Sequence, residues 1–168
     1  MEWTGARYAD QPTVEVTTWV AAPPGRVWAL VSEVTRMPEM SEELQSARWA
    51  GDASGPAVGA RFVGRSRHEQ FGEWETTSTV VACDPERVFS WAVGDPAEPS
   101  AVWRFGLEPR DGGTALSQWM RMGPGRSGLS FAIDAMPEKE QKIVFVRLRE
   151  FERGMTATLE HIRQWAEA

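Results

Sequence analysis

The chain has 168 residues, 42% hydrophobic and 25% charged, a size and balance that suit one globular domain with a real core. Its net charge of −6, with no basic run interleaved with aromatics, excludes a nucleic-acid partner. The longest apolar stretch falls short of the roughly 18 residues of a membrane span, Cys83 stands alone, and His68 and His161 lack metal-ligand spacing, so a span, an internal disulfide and a structural metal are all excluded.

The start, "MEWTGARYADQ", has neither the basic residues nor the apolar core of a signal peptide, so the chain is expected to be cytoplasmic, with residues 1–12 poorly ordered ahead of one domain over 1–168. A first strand, about Thr13 to Val20, alternates Val14, Val16, Thr18 and Val20 against Glu15, Thr17 and Trp19, and stops at "AAPP". A helix then runs from about Pro24 to Val34, with Val27, Val31 and Val34 on one face, and Pro38 ends it. From there to Met122 the chain reads as an antiparallel meander: 44–49, 60–68, 73–83, 87–93, 101–108 and 114–122. Asp111-Gly112-Gly113 supplies the positive φ for the hairpin between the last two. "GPGRSGLS", residues 123–130, reads as a glycine-hinged loop that serves as a gate. After about Pro137 the pattern is helical, and Val144, Leu148, Phe151, Met155, Leu159 and Ile162 form one apolar stripe. Some thirty residues give roughly 45 Å of helix. A stripe that long needs a sheet to lie on, which makes the fold α+β, with a six- or seven-stranded sheet and a long C-terminal helix.

The order strand, two short helices, six strands, long helix, with "APPGRVWALVSEVTRMPEMSEE", "FVGRSR", "EWETTSTVVACDPERVF" and "DGGT", resembles the polyketide cyclase/dehydrase-like branch of the START or Bet v 1-like (SRPBCC) superfamily. The resemblance covers nearly the whole chain. It implies a helix-grip fold, a curved antiparallel sheet wrapped around the C-terminal helix with a cavity between them. Relatives include aromatase/cyclases, lipid carriers and hormone receptors, so fold alone does not give the activity. Met40 stands where relatives carry Trp, and Glu42 where they carry Pro, so Met40 is expected to shape the mouth of the cavity.

Strand alternation sorts Trp103, Phe105, Leu107, Leu116, Gln118, Met120 and Met122 onto the concave face. Pairing adds Phe62, Gly64, Ser66 and His68 from one strand, Trp74, Thr76, Ser78 and Val80 from the next, then Phe89, Trp91 and Val93. A mostly apolar face with a few polar groups suits a hydrophobic, oxygen-bearing small molecule. Trp and Met line adaptable pockets better than they specify a tight core. Gly64 in mid-strand leaves room or marks a bulge.

His68 is the side chain of this set that moves protons near neutral pH, although a histidine beside "EQFG" also reads as a solvent-exposed turn residue. Glu33, Glu39, Glu42 and Glu43 near the mouth offer a carboxylate pair, although acids at helix ends more often just face water, and Arg61, Arg65 and Arg67 read as a solvated stripe facing Glu75 across the ladder. The expected ligand is a polyketide, polycyclic or lipid-like molecule, with no cofactor. The residues leave open whether it is cyclised or dehydrated, with His68 or Gln118 assisting proton transfer, or only carried. A third reading is a homodimer formed through a face of Trp19, Trp49 and Trp119.

Overall fold

The computed structural model describes residues 1–168. Seven strands form one antiparallel sheet: β1 (Thr13–Val20), β2 (Leu44–Trp49), β3 (Arg61–His68), β4 (Gly72–Asp84), β5 (Val88–Val93), β6 (Ala101–Arg110) and β7 (Gly113–Met122). Their order is β1-β7-β6-β5-β4-β3-β2, so β2 to β7 are a meander and β1 joins its far edge by pairing with β7. Helix α1 (Pro24–Val31) and a 3-10 segment (Val34–Met40) carry the chain from one edge of the sheet to the other. Helix α2 (Gly128–Ala135) leads to the long α3 (Glu140–Glu167), which lies across the concave face. This is the helix-grip arrangement.

Local chemistry explains where the helices start and stop. Pro24 occupies the first turn of α1, where its missing N–H costs nothing. The helix ends at Val31, short of the expected Val34, because the Ser32 hydroxyl takes the Trp28 carbonyl (2.7 Å) and Glu33 turns extended. The Glu33 carboxylate then accepts from the Thr35 amide and hydroxyl, opening the 3-10 segment that contains Pro38. Helix α2 occupies part of what reads as loop in the sequence. The Ser130 hydroxyl accepts from the Ser127 amide at its start, the Ser130 amide donates to the Ser127 carbonyl, and Leu129 is buried beneath it. In α3 the stripe Val144, Leu148, Met155, Leu159 and Ile162 is buried as its spacing predicts, with Phe151 half-buried.

Residues 1–12, expected to be poorly ordered, lie along α3. Trp3 packs edge-on against Phe145 (5.1 Å), the Gly5 carbonyl accepts from Gln141, and the Tyr8 amide donates to Glu140. No helix is long and apolar enough to cross a membrane.

The three tryptophans expected to share an exposed face do not. Trp19 and Trp119 are on the convex side, where the Trp19 indole N–H donates to the Arg110 carbonyl and Arg104 covers the Trp119 ring at 4.4 Å. Trp49 is on the concave side against Phe62. A bulge between Leu44 and Ser46 shifts the alternation of β2 and turns Trp49 inward.

Candidate functional site on the concave face

The register brings the expected residues of the sheet onto one surface. One line across it runs Phe62, Ser78, Val93, Ala101, Met122. The next runs Trp91, Trp103, Met120, Val14, and the third Cys83, Phe89, Phe105, Gln118, Val16. Trp91 is the hub of the aromatic contacts, 5.6 Å from Phe89, 5.9 Å from Phe105 and 6.0 Å from Phe62. These distances are those of offset and edge-on ring pairs.

The interior is divided. One cluster holds Phe62, Phe89, Trp91, Phe105, Leu107 and Leu116 beneath α1 and the last turns of α3. The other holds Val14, Met120, Met122, Leu129, Val144, Leu148 and Met155. Val16 and Trp103 are partly buried against both, and Gln118 sits on β7 between Leu116 of the first cluster and Met120 of the second. A seam therefore crosses the concave face at Val16, Gln118 and Trp103. The rings are packed rather than arranged around an open chamber. A hollow of about 560 Å³ lies elsewhere, around the loop from Ala50 to Arg61.

Gln118 is buried, and its side-chain carbonyl oxygen has no hydrogen-bond partner. Gly64 does not leave free room: a Cβ there would stand 3.0 Å from the Leu44 side chain, which fills the space. Met40 is not at a mouth. It is 3% exposed within the first cluster, and its carbonyl accepts from the Thr158 hydroxyl. Burial, and secondarily the Asp84 carboxylate, pushes the Cys83 thiol up, so it stays protonated at neutral pH.

Toward the β3–β4 turn the face opens, and Ser66, Trp74, Thr76 and Trp103 are half-buried. Side chains from three parts of the chain close this edge. His68 at the end of β3 is 10% exposed, not the solvated turn residue that "EQFG" favours, and its Nε2 is 2.9 Å from Glu150 of α3. Its Nδ1 accepts the Gln70 amide at 3.0 Å, which fixes the tautomer with hydrogen on Nε2 and leaves the ring no free lone pair. Arg147 makes a two-pronged contact with Glu43 (2.7 and 2.8 Å) and reaches Glu150 at 3.3 Å. Its guanidinium lies 4.3 Å from the Phe151 ring and 5.4 Å from Phe71, while Phe151 meets Trp103 edge-on at 5.2 Å.

Arg147 and Glu150 were not expected at the site, yet Arg147 had a visible signal. It lies three residues after Val144 and four before Phe151, so it is a charge on the apolar side of α3. The glutamates near the mouth do not form a carboxylate pair: Glu33 caps Thr35, Glu39 meets Arg36, and Glu43 goes to Arg147. On the convex side Arg65 faces Glu75 and Arg67 faces Glu73, as the pattern predicts.

A family model described as polyketide cyclase/dehydrase and lipid transport matches residues 11–159. The chain is 34% identical to a Polyketide_cyc-like protein, Cgl2372, from Corynebacterium glutamicum, over 90% of this chain and 88% of that one, with a TM-score of 0.65. The di-domain ARO/CYC StfQ from the steffimycin biosynthetic pathway is 14% identical, with a TM-score of 0.71 over 92% of this chain and 50% of its own length, so the likeness spans about half of that protein. Ara h 8.0201 matches at a TM-score of 0.55 and 14% identity, covering 90% of this chain and 97% of that one. These last two likenesses are of fold. No curated protein matches the chain.

Proposed function

The chain belongs to the polyketide cyclase/dehydrase and lipid transport family, and from this we propose that it binds a hydrophobic, oxygen-bearing small molecule along the seam of the concave face. The seam is the observation that carries the reading. Val16 and Trp103 pack against both apolar clusters, and between them the buried amide of Gln118 interrupts an otherwise apolar face. Met120, Met122 and Met155 lie buried in the second cluster, and flexible thioethers repack around a guest at low cost. Aromatic rings supply flat apolar area, while Ser66, Thr76, Ser78 and Gln118 offer sparse polar groups for orientation. Entry would be by way of the β3–β4 turn, where the closing contacts are made by side chains. The ligand class we infer is polyketide, polycyclic or lipid-like.

Calorimetric titration with quercetin and with cis-parinaric acid tests this reading. We expect saturable 1:1 binding of at least one of them, weakened about tenfold by Trp103→Ala through the loss of buried aromatic area. Failure of both to bind, together with no co-purifying molecule in native mass spectrometry of protein from its own host, would overturn it.

A second reading, cyclisation or dehydration of the bound molecule, is favoured by one contact. The Glu150 carboxylate orients an imidazole at the rim of the concave face. To act as a base, His68 must first release its Nδ1 lone pair from the Gln70 amide. Under that reading His68→Ala abolishes turnover and leaves affinity intact. Under the carrier reading the extracted ligand is chemically unchanged in both proteins.

A further inference from the structure

We propose that the ligand of the concave face carries a hydroxyl group, and that Gln118 is the residue that selects it. The inference rests on the binding reading above and narrows the ligand class to alcohols and phenols, as against pure hydrocarbons and fully etherified molecules.

Gln118 sits in the middle of β7, held between β1 and β6, with Val16 and Phe105 as its cross-strand partners. Along its own strand the neighbours on the same face are Leu116 and Met120. None of these four side chains has a hydrogen to donate. The residue is 6% exposed, and its Oε1 is cut off from solvent without a partner. A buried amide carbonyl left in that condition is destabilising, and leucine or methionine would fill the same volume without the penalty. The polar side chain also stands at the seam between the two apolar clusters, beside the flexible side chain of Met120. A hydroxyl donates to Oε1 and can accept from the amide nitrogen of the same side chain, so one group satisfies both ends of the amide. An ether or a hydrocarbon donates nothing and leaves Oε1 orphaned.

Discrimination of this kind is asymmetric. A site built around a buried polar group rejects an analogue that lacks the matching hydrogen, because the protein group then stays unpaired. The matched probes are 2-naphthol and 2-methoxynaphthalene, which share a ring system and differ in the donor. The methoxy compound is the more hydrophobic, so a purely apolar site prefers it. We expect wild-type protein in calorimetric titration to bind 2-naphthol roughly tenfold more tightly. Gln118→Leu should bring the ratio to about one or below, mainly by weakening 2-naphthol. Gln118→Met serves as a second variant of similar volume, with thermal unfolding confirming that each is folded. Equal affinities in wild type, or a preference that survives in both variants, would overturn the role of Gln118 while leaving the binding reading intact. If neither probe binds wild type while quercetin or cis-parinaric acid does, this inference falls and the binding reading stands.

Discussion

Two segments border the concave face, and they are held by different means. The glycine-rich link between β7 and α2 is tied by backbone: the Gly123 amide donates to the Ser100 carbonyl at 2.7 Å and the Gly125 amide to the Pro99 carbonyl at 2.8 Å. Tyr8 covers it, with its hydroxyl bonded to the Gly125 carbonyl and Ser127. A Cβ on residue 125 would lie 2.2 Å from the Glu98 carbonyl oxygen, so glycine is there because two backbones touch. The β3–β4 turn at residues 69–71 has no such backbone tie to α3. It is joined to that helix through His68 on Glu150 and through Phe71 against Arg147. Glycine content marks close approach in one segment, and the edge more easily parted is the other, whose links are exchangeable polar contacts.

The comparison breaks most sharply at Gly125. Gly125→Ala should cost about 3 kcal/mol in urea unfolding, since the atoms it meets are backbone of the β5–β6 connection, which the Gly123 and Gly125 amides hold in place. A loss under about 0.5 kcal/mol would show that the link moves aside freely, as a gate would. Arg147→Met comes next. It keeps an unbranched apolar side chain but removes the guanidinium that covers Phe151 and pairs with Glu43 and Glu150. Both carboxylates reach water, so we expect about 1–2 kcal/mol rather than the larger penalty of a fully buried pair. Hydrogen exchange sharpens the result: the Gln70 amide should exchange at least about tenfold faster in Arg147→Met, with Gly125 unchanged. Equal acceleration at both positions would mean that the two edges open together.

Much of this arrangement is legible in the sequence, because strand alternation and the α3 stripe are local patterns. Phe89, Trp91, Trp103, Phe105, Gln118 and Met120 share a face by period alone. What escapes is set by single events or distant partners. One bulge in β2 reverses Trp49. Two serines start α2 inside a glycine-rich stretch. The order of residues 1–12 depends on Phe145, Gln141 and Glu140, more than a hundred positions away. The rim escapes for the same reason, since Glu43, His68, Arg147 and Glu150 come together only once α3 crosses the sheet. Fullness of the interior is not a pattern at all. Gly64 reads as room until Leu44 from the next strand is seen to occupy it.

The smallest expected change in stability comes from His68→Ala, and it bears most directly on which edge admits a ligand. Removing the ring frees Glu150, which keeps Arg147 at 3.3 Å, and exposes the Gln70 amide to water, so the loss should stay near 1 kcal/mol. The kinetic effect should be larger than the thermodynamic one. The ring bridges the turn and α3 and lies 4.6 Å from Phe71, so its loss loosens the turn from the helix. In stopped-flow mixing with quercetin we expect association and dissociation to accelerate together by roughly three- to tenfold, with affinity nearly constant, because a gate changes the barrier and not the bound state. If His68→Ala leaves both rates unchanged while Tyr8→Phe, which removes the hydroxyl that pins the other link, accelerates them, entry is by way of the β7–α2 edge. The glycines would then be hinges after all, and the contrast between the two segments would run the opposite way.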